Sequence, residues 1–193
     1  MEKVVDMNKD FIFPKDYCPT KYECMDILNR YLTPEHVQLH CFAVGEAAKS
    51  IAIELNKKGL KINSQLVAAA GYLHDIARVH KNHEKVGAEY LYSIGLENVA
   101  KVINDHTKHK INTDIFSLDE EDVLCIADRV VLQSNFVGPQ RRMEYIKSKA
   151  LKKYGQESED FLDSIIEKFV IFIAELEEFI GDELYNIIPD EIK

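Results

Sequence analysis

The chain has 193 residues, with 24 lysines and arginines against 33 aspartates and glutamates, which gives a formal net charge of −9. This length suits one domain, and a core of that size needs no disulfide or structural metal to hold it together. The acidic balance argues against a nucleic-acid polymer as partner, because backbone binding relies on a basic surface. Small anionic ligands remain open, since local cations can outweigh a distant negative surface.

The cysteines and the apolar segments indicate a soluble, cytoplasmic protein. The four cysteines show no CxxC spacing, which is typical of reduced thiols inside the cell. The N-terminal stretch MEKVVDMNKDFIFPKDYCP carries acids among its first ten residues and no long apolar run, so we expect no signal peptide. The most apolar segment, FVIFIA at 169–174, is far below the ~20 residues that a membrane span requires.

Hydrophobic spacing predicts helices nearly throughout after an irregular N-terminal arm over 1–18, and no sustained period-two segment follows residue 20. Thr33 as N-cap and Pro34 as first helical residue are expected to open a long second helix. The helices predicted in the first part of the chain cover 20–32, 34–58, 63 or 64 to 77, 83–94 and 97–107.

The second part of the chain predicts three further helices. Ser117 and Glu120 stand in capping-box register before a helix that is expected to continue to Gln133. A basic helix over 139–154 and a long acidic amphipathic helix to 187 follow. Residues 19–193 are therefore expected to form one all-α domain, a bundle of about eight helices, with a motif-bearing core over 37–132.

Polar residues interrupt the apolar stripes of several predicted helices. His40 lies three residues after Val37 and four before Val44, so all three point to one face of the helix. Asp128, four residues after Leu124, is directed inward in the same way. The residues that this reasoning turns toward the interior are His40, His74, Asp75, His83, His106 and Asp128.

This set of inward side chains predicts a metal site. One inward histidine is more often a hydrogen-bonded core residue than a ligand. Burying a carboxylate costs several kcal/mol unless it is paired or coordinates a metal, and no lysine or arginine falls on the same stripes as an obvious partner. A divalent cation resolves the conflict, because carboxylate and neutral imidazole are its natural ligands.

The same residues resemble a known family. His40, the adjacent pair His74-Asp75, and Asp128 in CIADRVV resemble the H…HD…D signature of the HD-domain metal-dependent phosphohydrolase superfamily. HDIA followed by Arg78 is similar to the HDIG-lysine version of that signature, with alanine and arginine substituted. The segments HEKVGAEYL and INDHTKH resemble elements of the members that carry a second metal. The resemblance covers residues 37–132 and implies an HD-domain helical bundle.

The resemblance also implies roles for individual residues. The implied ligands of a first metal are His40, His74, Asp75 and Asp128, and those of a second are His83 and His106, with Asp75 bridging both. Asp75 and Arg78 are the expected catalytic residues, and the expected substrate contacts are Arg78, Lys108 and His109. His80 matches no element of the signature and is not expected to bind metal.

These observations favour a hydrolase that cleaves a phosphomonoester or phosphoanhydride, of a nucleotide or dinucleotide, with metal-activated hydroxide. Histidine-rich coordination favours one or two ions of iron, manganese, zinc, cobalt or nickel over magnesium. Two alternatives stay open, a mixed-valent diiron oxygenase of the same fold and a non-enzymatic, metal-stabilised nucleotide sensor. A homodimer is also left open. The basic helix is expected to be a solvated face, with phosphate recognition as the alternative.

Overall fold

The computed structural model describes residues 12–193, so residues 1–11 of the predicted arm lie outside the described residues. The prediction of an all-α fold is confirmed. The helices are α1 (Lys21–Arg30), α2 (Glu35–Lys57), α3 (Ser64–Leu73), α4 (His83–Ser93), α5 (Glu97–Ile103), α6 (Glu120–Asp128), α7 (Gly138–Tyr154), α8 (Glu159–Ile180) and α9 (Leu184–Ile187). Within residues 12–193, strand is confined to a hairpin of β1 (Val131–Leu132) and β2 (Asn135–Phe136).

Helix α2 runs through the middle of the fold and packs against α3 and α6. Helix α3 is apolar on every side, and all of its residues from Val67 to Leu73 are buried. Two glycines let these helices approach closely, since a Cβ atom added to Gly71 would lie 2.6 Å from the Cα atom of Gly45. The close approach places His40, in α2, beside His74 at the end of α3, with 5.3 Å between the ring centroids.

Several helices end earlier than the hydrophobic spacing predicts; α5, for example, stops at Ile103 rather than at 107. Helix α3 stops at Leu73 rather than at 77, and the chain continues in turns. Helix α6 stops at Asp128 rather than at Gln133, because the β1–β2 hairpin follows it and Gln133 adopts a left-handed φ of 56°. Strands of two residues are too short to produce a visible period of two.

Two predicted caps also differ from the observed ones. The capping box of α6 is formed by Asp119 and Asp122 rather than by Ser117, whose hydroxyl donates to Asp114 at 2.7 Å. Pro34 occupies the N-cap position of α2, and the Thr33 hydroxyl donates instead to the carbonyl oxygen of Ile76 at 2.8 Å. That hydrogen bond ties the start of α2 to the turn after α3.

The last helices pack against one side of this core. Helices α7 and α8 contact each other, and Lys147 of α7 pairs with Asp163 and Glu159 of α8 at 2.5 and 3.1 Å. The acidic helix predicted to run to 187 is interrupted at Gly181, whose φ of 83° ends α8 before the short α9. Among the helices of residues 12–193, none has both the length and the apolar character that crossing a membrane demands.

Candidate metal centre

The six inward-facing residues of the sequence analysis lie around one centre. His74 directly follows α3, His106 lies in the turn after α5, and Asp128 is the last residue of α6. His83 is the first residue of α4, and His40 lies in the body of α2. The clustered residues therefore come from five helices or the turns that directly follow them, and most lie at a helix end.

Asp75 stands at the middle of this cluster. Its Oδ1 atom lies 2.9 Å from Nε2 of His83 and 3.7 Å from Nε2 of His106. Its Oδ2 atom lies 3.7 Å from Nε2 of His74. Two groups of possible metal ligands, each within 4.8 Å, share this residue; they are His40, His74 and Asp75, and Asp75, His83 and His106. The Asp75 carboxylate is thus close enough to contribute to both groups.

Backbone carbonyl groups orient three of the histidines. Nδ1 of His40 donates to the carbonyl oxygen of Gln133 at 2.8 Å, and the left-handed turn at Gln133 directs that oxygen toward the ring. His74 and His106 donate from Nδ1 to the carbonyl oxygens three residues earlier in the chain, at 2.8 and 2.7 Å. A carbonyl oxygen only accepts, so the proton lies on Nδ1 and each Nε2 atom faces the carboxylates.

Nε2 of His74 is the strongest indication that these residues suit a cation. The atom is buried and has no hydrogen-bond partner among residues 12–193. It lies 3.7 Å from Asp75 and 3.9 Å from Asp128, too far for hydrogen bonds. Bonds of ~2.0–2.2 Å to a shared ion would bring ligand atoms to roughly this separation. The donor set of imidazole and carboxylate therefore fits a divalent transition metal.

Asp128 is held by residues from two directions. Its Oδ1 atom lies 3.0 Å from Nε2 of His40 and accepts a hydrogen bond of 3.0 Å from Nη2 of Arg142. Nε of Arg142 donates to the Asp128 carbonyl oxygen at 2.9 Å. The two contacts fix both the backbone and the carboxylate of Asp128. Arg142, expected on the solvated face of the basic helix, instead has a side chain that is only 13% exposed.

The charges of the cluster agree with this arrangement. Burial is the main cause that lowers the pKa of His74 to about 4, so the ring is neutral at pH 7. Burial raises the pKa of Asp75, but the neighbouring histidines outweigh it and hold the pKa well below its usual range. The pKa of Asp128 is also lowered, because the hydrogen bond from His40 and the charge of Arg142 outweigh burial. Both carboxyl groups are therefore ionised and available as ligands.

Burial lowers the pKa values of His40 and His106, but Asp128 and Asp75, respectively, raise them by more. In the protein by itself these rings thus hold protons more tightly than a free histidine does. A divalent cation competes with those protons for the same Nε2 lone pairs, so metal binding is coupled to proton release.

Arg78 lies beside the second group of possible ligands. Its Nη1 atom donates to Oδ1 of Asp75 at 3.4 Å and lies 3.0 Å from Nε2 of His83. Nε2 of His83 lies 2.9 Å from the same carboxylate oxygen. Arg78 must therefore move away from His83 before a metal can bind at this nitrogen. The side chain is 52% exposed and therefore has room to turn away from His83.

The two remaining predicted substrate contacts, Lys108 and His109, have partners within the protein. Nζ of Lys108 lies 3.4 Å from Oε1 of the buried Glu84. The ring of His109 lies between carboxylates, with Nε2 2.7 Å from Asp122 and Nδ1 3.2 Å from Glu121. Their predicted substrate contacts stay predictions. His80, exposed and stacked edge-on against Tyr31, lies outside both groups of possible ligands.

A cavity of about 1270 Å³ adjoins the cluster. His40, Asp75, His106 and Asp128 form part of its wall, and residues of α7 and α8 form much of the rest. Eight lining residues are lysine or arginine, whereas the acidic ones are Asp75 and Asp128. Basic residues therefore outnumber acidic ones in the lining of this cavity, although the chain as a whole has a net charge of −9.

Comparisons with known proteins give three findings. An uncharacterized protein of Methanocaldococcus jannaschii is 38% identical over 79 residues, which are 39% of this chain and 47% of that protein. The chain thus spans about half the length of this curated relative. No solved structure matches the chain.

The model of the HD domain family matches residues 37–134, about half of the chain. This match begins at Val37, before His40, and ends just beyond the hairpin residue Gln133, so it contains all six clustered residues. HD domains bind divalent metals and are generally metal-dependent hydrolases. The resemblance to this superfamily is confirmed, and the chain belongs to the HD-domain family.

Proposed function

We propose that the protein is a metal-dependent phosphohydrolase that cleaves a phosphomonoester or phosphoanhydride of a nucleotide or dinucleotide. The observation that carries the proposal is the unpaired, buried Nε2 atom of His74 between two ionised carboxylates, at the wall of a positively charged cavity. Such a cavity attracts an anionic substrate, and the cluster beside it suits ions that act on phosphate.

The proposed reaction is a hydrolysis. Water adds to phosphorus and the bond from phosphorus to the ester oxygen, or to the oxygen that bridges two phosphates, breaks. The leaving group takes up a proton from the water and departs as an alcohol or a shorter phosphate. A bound divalent ion lowers the pKa of water and neutralises charge on phosphate oxygens. His40, His74, Asp75 and Asp128 would hold one ion, and His83 and His106 would hold a second together with Asp75.

Other side chains bind and orient the substrate in this proposal. Arg78 would turn from His83 toward a phosphate oxygen, since a planar guanidinium can form two parallel hydrogen bonds to phosphate. Arg142 would keep the Asp128 carboxylate in place through its two contacts. Lys108 would contribute positive charge at the cavity mouth.

Elemental analysis of protein purified without chelator, followed by a panel of nucleotides and dinucleotides with added manganese, iron, cobalt or zinc, tests the proposal. We expect bound transition metal and release of phosphate or of a shorter nucleotide, with equal rates under anaerobic conditions. Oxygen-dependent turnover would favour the diiron oxygenase. If no phosphate ester is hydrolysed by metal-loaded protein, the proposal is wrong.

A further inference from the structure

We infer that α7 and α8 form a subsite for a bulky apolar group, aromatic or aliphatic, on the organic part of the phosphate substrate; this inference rests on the proposed function. Both helices follow the segment that the HD family model matches, which ends at residue 134. They supply wall residues to the cavity that contains Asp75 and Asp128. The proposed subsite is therefore continuous with the metal centre.

Helix α8 presents an apolar stripe to the cavity. Phe161, Ile165 and Phe169 recur every four residues, so they lie on one side of the helix, and all three line the cavity. Phe161 is 69% exposed and Ile165 is 38% exposed. Apolar side chains exposed together beside a functional cluster indicate a contact surface, because covering them removes apolar area from water.

Helix α7 completes the subsite with a different mixture of residues. Met143 and the half-buried Ile146 line the cavity on the apolar side. Lys149, whose Nζ lies 5.2 Å from the ring centroid of Tyr145, adds positive charge. Lys168 of α8 lines the same cavity and also adds positive charge. The apolar wall thus has cations at its edge.

The size and charge of the cavity select the class of occupant. At about 1270 Å³ the cavity exceeds the roughly 300–1,000 Å³ typical of small-molecule sites, and a phosphate group fills little of it. A small polar alcohol would leave Phe161 and Ile165 in water. The excess of basic over acidic lining residues suits the anionic end of the ligand, and the apolar wall suits a large organic group.

The test compares two phosphonates, which cannot be hydrolysed because the phosphorus is bonded to carbon. Calorimetry with manganese-loaded protein would measure binding of naphthylmethylphosphonate and of methylphosphonate. We expect the naphthyl compound to bind at least about tenfold more tightly, since burial of its ring adds apolar contact. Ile165→Asp should remove most of that preference. Phe161→Ala, which adds no charge, should reduce it by about threefold.

Ile171→Asp is the matched control, because Ile171 is an exposed isoleucine of the same helix that does not line this cavity. The Ile171→Asp variant should still bind the naphthyl compound more tightly than methylphosphonate. Circular dichroism should show that all three variants are folded. Equal affinity for both phosphonates, or equal loss in the Ile165 and Ile171 variants, would overturn the inference. The inference would also be overturned if Ile165→Asp left the affinity for both phosphonates unchanged but lowered the oligomeric mass measured by light scattering. That result would mean that this face of α8 contacts a second copy of the chain.

The failure of this inference differs from the failure of the proposed function. If metal-loaded protein hydrolyses phosphate esters without preference for an apolar group, the subsite is wrong and the hydrolase proposal stands. If no ester is hydrolysed but the naphthyl preference depends on Ile165, the subsite stands and the hydrolase proposal falls.

Discussion

Helices α2 to α6 and the pair α7–α8 contribute to one cavity in different ways. The first group supplies six clustered histidines and aspartates, three of which are buried, and it orients three of the rings through backbone carbonyl groups. The second group supplies exposed lysines and apolar side chains. In the proposed function, metal chemistry therefore belongs to the segment that the family model matches, and in the inferred subsite, substrate choice belongs to the helices after it.

Arg142 is the exception that joins the two regions. It belongs to α7 but holds both the carbonyl oxygen and the carboxylate of Asp128. A change in α7 can therefore affect the metal centre as well as the substrate wall. Four substitutions or titrations separate these contributions.

The largest expected effect comes from Asp75, which is shared by both groups of possible ligands. Asp75→Asn replaces an ionised carboxylate with a neutral amide, so we expect the loss of both metals and a fall in hydrolysis of about 10³-fold or more. Elemental analysis and phosphate release measure these effects. The matched control, His80→Asn, should keep metal and activity. Two ions retained by the Asp75 variant would contradict the bridging role.

Packing in the first region is tested by Gly71→Ala. The added methyl group would meet backbone atoms of Gly45, at 2.6 and 2.8 Å, so α2 and α3 must separate. We expect the free energy of unfolding to fall by about 2–3 kcal/mol, measured by urea denaturation.

Gly87→Ala is the control for that variant. Its methyl group would meet Cγ2 of Ile76, the end of a side chain that can move, at 2.9 Å. Alanine also favours a helix over glycine by about 1 kcal/mol, which offsets the contact. If both variants lost the same free energy of unfolding, the close approach of α2 to α3 would not be the reason that glycine is required at position 71.

The link between the regions is tested by Arg142→Leu. Loss of both contacts frees Asp128 to turn, and we expect metal affinity to fall about 10- to 100-fold, as is common when a partner of a metal ligand is removed. Competition with a chromophoric chelator measures this affinity. The adjacent and exposed Arg141 provides the control, and Arg141→Leu should leave metal affinity unchanged. Removal of positive charge alone would raise the affinity for a cation, so an unchanged or raised metal affinity in the Arg142 variant would contradict its role in holding Asp128.

Much of the metal centre is predictable from sequence, because helical periodicity alone directs His40 and Asp128 inward. The contact of Arg142 with Asp128 is not, since it depends on how α7 crosses the end of α6. The carbonyl oxygen of Gln133, which orients His40, depends on a turn that interrupts the predicted helix. Neighbouring side chains also compete for the N-cap position of a helix, and Asp119 rather than Ser117 forms the cap of α6. The helical spacing of the sequence therefore predicts the candidate metal ligands better than it predicts the residues that orient them, such as Arg142 and Gln133.

The smallest effect concerns the proton equilibrium of His74. Burial lowers its pKa to about 4 in the folded protein, whereas an unfolded histidine has a pKa near its usual ~6.5. Between these values the unfolded chain binds more protons, so the free energy of unfolding falls as the pH falls. From pH 7 to 5.5 we expect His74 to account for a loss of about 1 kcal/mol. Urea denaturation in chelator, compared with His74→Gln, isolates this contribution. The protein with His74 should lose more of its free energy of unfolding than the variant as the pH falls from 7 to 5.5. A stability difference between the two proteins that does not change with pH would mean that His74 is not held neutral by burial.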